Sequence, residues 1–378
     1  MDIASTSGRL ELGRASPEPF LRGKLYRVNW HQVKMTWNFN RYLVLLGGFP
    51  YWQNRRLTQE LELSRDIGSA ELSSSMYGRL RFFPHKTKSH QECELIVVAE
   101  HGRFGNSIRQ ITYALACAQT LGVREVLAHS VPLIPQGSWT LSNGVTFTHD
   151  RLLRPRVSTR PNTILAGDYF VSSRLPVTLE NFDYSALGSD LASLFALDPI
   201  QALPESTLVI HIRSGDVFSS TPHRDLGQPP LSFYSVVIKR LIPSKVILVF
   251  EDEANPVIEK LMKLLGEMKI DTSIQSSDFL SDLSVLLSAR ALVGARGTLG
   301  DAIELLSPNL HTIVTFGKRV LPRFNGTETK SRLTVIDKDH TYEQAVLSRN
   351  WQNSHEQVQM MLSYPEKSLA MSQLPSAQ

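Results

Sequence analysis

The sequence predicts an α/β protein built from two Rossmann-like, doubly wound domains that face each other across a cleft. Short β-branched apolar runs alternate with longer helical stretches from about residue 94 onward, which is typical of a parallel sheet. The chain has 378 residues, a length that suits two domains with additions better than a single core. Glycine-rich or charged stretches follow several of the strands, at the ends where open sheets bind ligands.

The composition is that of an ordinary globular protein. Apolar residues make up 42% and charged residues 20% of the chain, which excludes a wholly disordered chain, collagen and a coiled coil. The net charge of +4 is too small to indicate nucleic acid as a partner. Cys93 and Cys117 are too few for a disulfide framework or a cysteine zinc site, and the histidines lack metal-ligand spacing. We therefore expect no metal site.

The first 93 residues carry the weakest pattern. Residues 1–23 form a predicted disordered leader, and the stretch from 24 to about 90 mixes aromatic residues with arginines. The longest apolar run, 42–52, is shorter than the roughly 18 to 20 residues of a membrane span, so no integral membrane segment is expected. We expect a cytoplasmic protein. The alternative is the lumen of the Golgi or the ER, which would need an anchor outside this sequence.

The first domain is predicted over residues 24–200. A β-branched apolar run predicts a buried strand at 95–99, and a glycine-containing turn follows it. The next stretch is apolar nearly all round and ends at Gly122, as a buried helix over 108–121 would. The remaining elements of this domain are a strand at 125–129, a strand at 163–165 and a helix at 181–197.

The second domain is predicted over residues 201–345 and has the more regular pattern. Its strands are predicted at 208–212, 245–250, 270–274, 291–293 and 311–316. Its helices are predicted at 231–241, 255–267, 278–290 and 298–306. A C-terminal helix and a frayed tail are predicted over 346–378. Because parallel strands end at one edge of a sheet, the residues that follow these strands should collect there.

A first candidate site is the segment 102–107, Gly-Arg-Phe-Gly-Asn-Ser, before the first long helix. Gly102 and Gly105 permit positive φ and close backbone approach, while Asn106 and Ser107 are good N-cap residues. A helix N-terminus at this point would suit a phosphate or a sugar hydroxyl. The alternative is a tight strand-to-helix turn that binds no ligand.

A second candidate site is the segment 211–216, His-Ile-Arg-Ser-Gly-Asp, directly after a predicted strand. Arg213 can give two parallel hydrogen bonds to phosphate oxygens, and Asp216 can hold that arginine or the loop in place. His211 shares a strand face with Arg213 if the strand extends that far. The alternative is a buried histidine beside a purely structural arginine–aspartate pair.

A third candidate site is the segment 278–298, an apolar helix and a short strand that lead through small residues into another helix. Gly297 and Thr298, at the start of that last helix, form a second candidate phosphate cradle. Asp282 lies four residues after Asp278 and shares its helix face. The alternative for both aspartates is a pair of solvated first-turn acids that the helix dipole favours.

These three segments resemble motifs of the fucosyltransferase superfamily. Residues 102–106 are similar to the Gly-x-x-Gly-Asn motif near the start of these enzymes, including the protein O-fucosyltransferases. Residues 211–216 resemble their His-x-Arg-x-x-Asp motif, and 282–298 resemble the Asp-x-x-x-(Leu/Met)-Ser to Ser/Thr-Phe-Ser block of the α1,2 and core α1,6 enzymes. The resemblance spans about residues 94–316 in the right order and marks the chain as a divergent member.

The resemblance implies a GT-B fold, GDP-fucose as the donor substrate, inversion at the anomeric carbon, and no metal or other cofactor. The acceptor would be a glycan or glycoconjugate bound on the side of the first domain. Arg213 would bind the diphosphate of the donor, and the hydroxyl of Thr298 would donate a hydrogen bond to its β-phosphate. His211 and Asp282 would read the guanine. Asn106 would lie across the cleft, near Arg213 and the sugar.

Other residues receive weaker assignments from the resemblance. Asp252 resembles the acidic end of a family strand, Phe-Ser-Asp-Asp. A general base is optional because the sugar carbon becomes strongly cationic in the transition state. Asp216, Glu100 and Asp168 are the candidates, and the sequence does not choose among them.

The sequence also departs from the family pattern. Ser214 stands where many α1,2 and α1,6 enzymes have a second arginine, Leu299 replaces the usual Phe, and Gly297 replaces the Ser before it. These departures favour one alternative function, a non-catalytic nucleotide-sugar or glycan-binding relative of the same fold. A phosphoryl- or sulfo-transferring Rossmann enzyme is disfavoured, because the sequence has no Gly-x-x-x-x-Gly-Lys-[Ser/Thr] and no Gly-x-Gly-x-x-Gly motif.

Overall fold

The computed structural model describes residues 95–98, 103–128, 131–150, 164–167, 169–170, 175, 177–179, 182–195, 200–317 and 331–373. The predicted leader and N-terminal extension lie outside these residues. So do the candidate binding residue Gly102 and two of the general-base candidates, Glu100 and Asp168.

The first domain, in its described part, is a five-stranded sheet in the order β3-β4-β2-β1-β5. Its neighbouring strands are parallel, except that β3 runs antiparallel to β4. The elements are β1 (Leu95–Val98), α1 (Phe104–Leu121), β2 (Glu125–Ala128), β3 (Gly137–Thr140), β4 (Thr146–His149), β5 (Ile164–Gly167) and α2 (Ser185–Ser193). Helix α1 ends where Gly122 adopts a left-handed conformation at φ 73°, as its glycine predicts.

The second domain, in its described part, is a seven-stranded sheet in the order β12-β11-β10-β9-β6-β7-β8. Every pair of neighbours is parallel except β11 and β12. The strands are β6 (Thr207–Ile212), β7 (Lys245–Phe250), β8 (Asp271–Gln275), β9 (Ala291–Val293), β10 (Thr312–Phe316), β11 (Ser331–Asp337) and β12 (Leu369–Gln373). The helices are α3 (Leu231–Leu241), α4 (Val257–Glu267), α5 (Phe279–Ser288), α6 (Leu299–Leu306) and α7 (His355–Ser363).

The second sheet is doubly wound around β6. Leu208 and Ile210 of β6 face the apolar cluster that contains α3 and α4, whereas Val209 faces the cluster that contains α5 and α6. Strand β9 lies directly beside β6, although two strands and three helices separate them in sequence. The helices that follow β6 and β9 therefore cover opposite faces of the sheet. This makes the gap between the ends of β6 and β9 the topological switch point, where such sheets bind ligands.

One apolar cluster joins the two domains. It contains α1 of the first domain together with residues of α5 and α6 of the second. At its edge, the buried Arg109 of α1 forms an ion pair with the buried Asp301 of α6. The guanidinium of Arg109 also lies over the ring of Phe170, 4.8 Å from the ring centroid. The N-terminal halves of α1 and α6 are thus packed together, and they bring the first domain to the edge of the second sheet.

The prediction of an α/β protein with two mostly parallel sheets is confirmed. Two local predictions are wrong, and one element is additional to those predicted. Helix α1 begins at Phe104 with Arg103 in the N-cap position, so Asn106 and Ser107 are not N-caps. The tail does not fray directly after 363, because β12 pairs with β11. The β3–β4 hairpin was not predicted, since its four-residue strands carry little apolar pattern. The domain boundaries stay predictions.

The described helices do not include one that is both long enough and apolar enough to cross a membrane.

Candidate functional site

The candidate site lies at the switch point between β6 and β9. Arg213 directly follows β6, and the turn 294–298 directly follows β9. These two segments touch, because a Cβ built on Gly297 would lie 2.9 Å from Nη1 of Arg213. Gly297 also has a φ of 148°, which side chains rarely adopt, so the backbone conformation favours glycine here. The turn after β9 therefore forms one wall beside the arginine.

The guanidinium of Arg213 is held at this edge rather than buried in the core. Its Nη2 donates to both carboxylate oxygens of Asp216, at 3.3 and 3.2 Å. The Arg213 backbone carbonyl accepts a hydrogen bond of 2.9 Å from the Asn255 side chain. The side chain is 22% exposed, which leaves it accessible to a ligand. The predicted role of Asp216 in holding the arginine is confirmed.

A second network fixes the loop after Arg213. The fully buried Ser214 hydroxyl donates to Oδ1 of Asp252 at 2.5 Å and accepts from the Asn255 backbone N–H at 2.9 Å. The same carboxylate oxygen accepts from the backbone N–H groups of Gly215 and Ala254, at 3.1 and 2.9 Å. The hydrogen bond from Ser214 is the main cause that lowers the pKa of Asp252. Ser214 therefore has a structural role, and one carboxylate oxygen of Asp252 stabilises the conformation of the loop.

The first domain contributes Arg103 to the same edge. Its Nη1 donates to Oε2 of Glu251 at 3.0 Å, and its Nη2 lies 3.9 Å from Oδ2 of Asp216. Glu251 follows β7 and Asp216 follows β6, so this arginine bridges from α1 to two strand ends of the second domain. Asp216 consequently has a guanidinium on two sides, from Arg103 and from Arg213.

Gly105 and Asn106 contact the turn after β9. A Cβ built on Gly105 would lie 2.7 Å from the Leu299 backbone nitrogen and 2.7 Å from the Thr298 carbonyl carbon. The Thr298 hydroxyl donates to Oδ1 of Asn106 at 2.6 Å. Close backbone approach at Gly105 is therefore confirmed, whereas a positive φ is wrong, because this residue is helical. This hydrogen bond joins Asn106 to the turn after β9 and engages the Thr298 hydroxyl proton within the protein.

The glycine-containing segment is thus a clamp between the domains. We call residues 103–106 the interdomain clamp. Arg103 contacts the ends of β6 and β7, and Phe104 packs against Phe279 at the start of α5, with 5.3 Å between ring centroids. Gly105 and Asn106 contact the end of β9. Sequence reasoning assigned no role to Arg103 or Phe104, because their partners are far away in the chain.

The two residues expected to read the base lie on either side of β7. His211 is on β6 and is half-buried; burial, helped by the charge of Arg213, lowers its pKa to about 4. Its imidazole is therefore neutral near pH 7. Asp282 is on the first turn of α5 and only 9% exposed. Its Oδ1 accepts hydrogen bonds from the side chain of Gln275 and the backbone of Ser277, at 3.1 and 3.2 Å.

The alternative of two solvated acids thus fits only one of the two aspartates in α5. Asp278 is the N-cap, and its carboxylate accepts from the backbone N–H groups of Leu280 and Ser281. Asp282 is buried instead and ties the end of β8 to the helix. No hydrogen bond in the described part of the chain joins Asp282 to the Arg213 cluster.

His211 predicts a pH dependence of stability. Its pKa is about 4 in the folded protein and about 6.5 in an unfolded chain, so the unfolded state binds more protons between these values. The stability that the neutral imidazole of His211 contributes is fully present above about pH 6.5, and it is lost as the pH falls toward 4. Each pKa unit corresponds to about 1.4 kcal/mol. Urea unfolding of His211→Gln should show a shallower pH dependence over this window than that of the wild type.

In the described part of the chain, no metal cluster adds to this site, and a cavity beside α2 lies apart from it. In the ranges given above, no three His, Cys, Asp or Glu side chains are placed to hold a metal ion together. A cavity of about 290 Å³ lies between the C-terminal ends of α2, α5 and α6, where Ser193, Leu287 and Leu306 line it. It contains none of the candidate site residues.

No protein-family profile and no curated protein sequence matches the chain. Among solved structures, POFUT1 in complex with GDP is similar to it, with 11% identity, a TM-score of 0.36, and coverage of 60% of this chain and 99% of that one. The iron-containing dodecameric glycosyltransferase TibC from enterotoxigenic E. coli has 14% identity and a TM-score of 0.35, with 65% and 63% coverage. The E. coli heptosyltransferase WaaC with ADP has 11% identity and a TM-score of 0.33, with 70% and 97% coverage.

These likenesses concern the fold alone. Identities of 11 to 14% and TM-scores of 0.33 to 0.36 assign neither a substrate nor a reaction to this chain.

Proposed function

We propose that the protein is a glycosyltransferase that uses a GDP-sugar, most specifically GDP-fucose, and transfers the sugar with inversion to a glycan or glycoconjugate hydroxyl. The observation that carries the proposal is the position of Arg213. Its partly exposed guanidinium lies at the topological switch point, against a glycine turn that leads into α6. An arginine at such a point suits a diphosphate, since its planar fork can bind two phosphate oxygens at once.

The charges around the site fit the departure of a diphosphate. In the transfer, the acceptor oxygen bonds to the anomeric carbon while the bond from that carbon to the β-phosphate oxygen breaks. The leaving GDP takes the electron pair of that bond, and the growing negative charge must be stabilised. Arg213 can do this without a divalent ion, helped by the N-terminus of α6 that begins at Leu299. Arg103 adds a second cation at the same edge.

The acceptor hydroxyl must also lose a proton. Asp216 is the general-base candidate within the described residues, and its carboxylate contacts Arg213 at 3.2 Å. That ion pair occupies the carboxylate. On our proposal, Asp216 first orients the arginine, and it is released as a base when the diphosphate takes over the guanidinium.

The proposal of guanine as the base of the donor is supported by the resemblance of the motifs and by two side chains. Asp282 can accept from the N1–H and the amino group of guanine, because a carboxylate has several lone pairs and one oxygen is used within the protein. A neutral His211 can donate or accept at the β6 end. The role of the first domain as the acceptor side is part of this proposal.

A second function is favoured by one observation. The Thr298 hydroxyl and the Arg213 guanidinium are both satisfied by protein partners, Asn106 and Asp216. A protein that only binds a nucleotide sugar or a glycan could keep these contacts. Purified protein distinguishes the two functions, because an enzyme releases GDP from GDP-fucose and a binding protein shows affinity without turnover.

A panel of nucleotides in a thermal-shift assay tests the donor. We expect GDP and GDP-fucose to stabilise the protein, while UDP, CMP and ADP at the same concentrations do not. A ligand at a hundredfold excess over its Kd adds about 2.7 kcal/mol to the free energy of unfolding, which is easily detected. Stabilisation by ADP or UDP alone would contradict the GDP assignment, and the absence of stabilisation by any of them would contradict a nucleotide-sugar function.

A further inference from the structure

Exposed apolar side chains are concentrated where β8 leads into α5. Among the described residues, four large apolar side chains are exposed, and three of them are Ile274, Phe279 and Leu280, at 52%, 41% and 44%. Exposed aromatic and aliphatic groups that lie side by side mark a binding surface more often than isolated ones do. The polar residues Gln275 and Ser277 lie between them in the chain and bind Asp282.

Phe279 contacts the interdomain clamp. Its ring meets that of Phe104 in an edge contact, with 5.3 Å between centroids and 64° between the planes. Phe104 is buried and packs in turn against Phe195, with 5.6 Å between centroids. Because Phe104 belongs to the interdomain clamp, this contact places the Phe279 ring beside the site. Only part of the ring is covered, so aromatic surface remains open to solvent.

The spacing between Phe279 and Arg213 suits a nucleotide. Strand β8 is two strands away from β6 in the sheet, which corresponds to about 10 Å at the usual strand spacing. The diphosphate site proposed above lies at the end of β6, so a base that extends along the sheet edge reaches the end of β8. Asp282 lies three residues after Phe279 and shares its helix face. A carboxylate and an aromatic surface thus stand on one side of the helix.

We propose that Phe279 is the stacking surface for the purine base of the donor nucleotide. This inference rests on the proposed function, since it extends the diphosphate site at Arg213 to the base. An aromatic ring binds the face of any purine, whereas the carboxylate of Asp282 binds the edge and distinguishes guanine from adenine. Phe279 therefore contributes affinity for the base, and Asp282 contributes selectivity.

Titration calorimetry with two probes tests the stacking. GDP carries the base, while inorganic pyrophosphate carries only the charge and can be measured directly or by its competition with GDP. The variant Phe279→Leu keeps an apolar contact with Phe104 but removes the aromatic face. We expect it to weaken GDP binding about tenfold, as a stack worth about 1.4 kcal/mol would, and to leave pyrophosphate affinity within about twofold. Phe279→Tyr should keep the GDP affinity, and Ile242→Ala, at the exposed apolar side chain that ends α3, should not change it.

The possible results of these titrations distinguish a failure of the stacking proposal from a failure of the proposed function on which it rests. Equal GDP affinity of wild type and Phe279→Leu would overturn the stacking alone. An equal loss of GDP and pyrophosphate affinity would also overturn it, because the variant would then act through the cleft and not through the base. If the wild-type protein bound pyrophosphate but no GDP, or neither of them, the proposed donor itself would be wrong.

Discussion

Replacement of Arg213 by alanine should lower turnover with the donor about 100- to 1000-fold, the usual loss when one group that stabilises a transition-state charge is removed. The guanidinium lies against Gly297 at the switch point and is 22% exposed, so it can reach a diphosphate there. The fold should survive, because the pair with Asp216 is partly solvated and contributes little to stability. Steady-state release of GDP from GDP-fucose, with thermal unfolding as the check on folding, measures both effects.

Two further variants define what Arg213 does. Arg213→Lys keeps the charge but cannot give two parallel hydrogen bonds, so it should recover only part of the activity. Arg240→Ala removes an exposed arginine in the last turn of α3 and should keep wild-type turnover. An Arg213→Ala protein with turnover within tenfold of the wild type would contradict the assignment.

The substitution Gly105→Ala should open the interdomain clamp. The added methyl carbon would lie 2.7 Å from backbone atoms of Thr298 and Leu299, and backbone cannot move aside as a flexible side chain can. Overpacking of this kind costs about 1 to 3 kcal/mol of stability. Because α1 must shift, Asn106 should also lose the hydrogen bond from Thr298. We expect a lower free energy of unfolding in urea and a weaker affinity for GDP.

Gly266 provides the matched control for this variant. It is a glycine within a helix, as Gly105 is, but a Cβ built on it meets no atom within 4 Å. Gly266→Ala should therefore be neutral or stabilise the protein by about 0.5 to 1 kcal/mol, the usual difference between the two residues in a helix. If Gly105→Ala behaved in the same way as Gly266→Ala, the clamp would not depend on the close approach of α1 and α6.

The second domain could be predicted closely from the sequence because strands such as β6 are buried on both faces. Such strands are short, continuous apolar runs, as in 245–250, and amphipathic helices with clear ends separate them. Strand β7 and helix α3 begin and end where the sequence predicts. Two of the strands that were missed, β3 and β12, carry weaker signals. Both β3 and β12 run antiparallel to a single neighbour at a sheet edge, so only one side of each strand is paired.

The candidate site could be predicted in part. Residues that follow strands were identified correctly, because the edge of a parallel sheet collects them, and Arg213, Gly297 and Thr298 lie together as expected. The contacts between domains could not be predicted. Arg103 and Glu251 are 148 residues apart, and no local pattern links them. The early start of α1 also depends on packing, since no side chain caps its N-terminus.

Ser214 shows that a residue which departs from a family motif can have a structural role of its own. Its place in the family pattern is often taken by arginine, and this departure is one of those that favour a non-catalytic relative. In the structure it is fully buried and joins the loop after β6 to Asp252 and Asn255. The second cation at this edge is Arg103, which comes from the other domain.

The most direct test of the central claim is a crystal structure of the protein with GDP. The proposal requires the diphosphate to lie between Arg213 and the Gly297–Thr298 turn, with phosphate oxygens about 3 Å from the guanidinium nitrogens. It would be contradicted by a nucleotide bound elsewhere, or by one whose phosphates make no contact with Arg213 while the guanidinium keeps Asp216 as its partner.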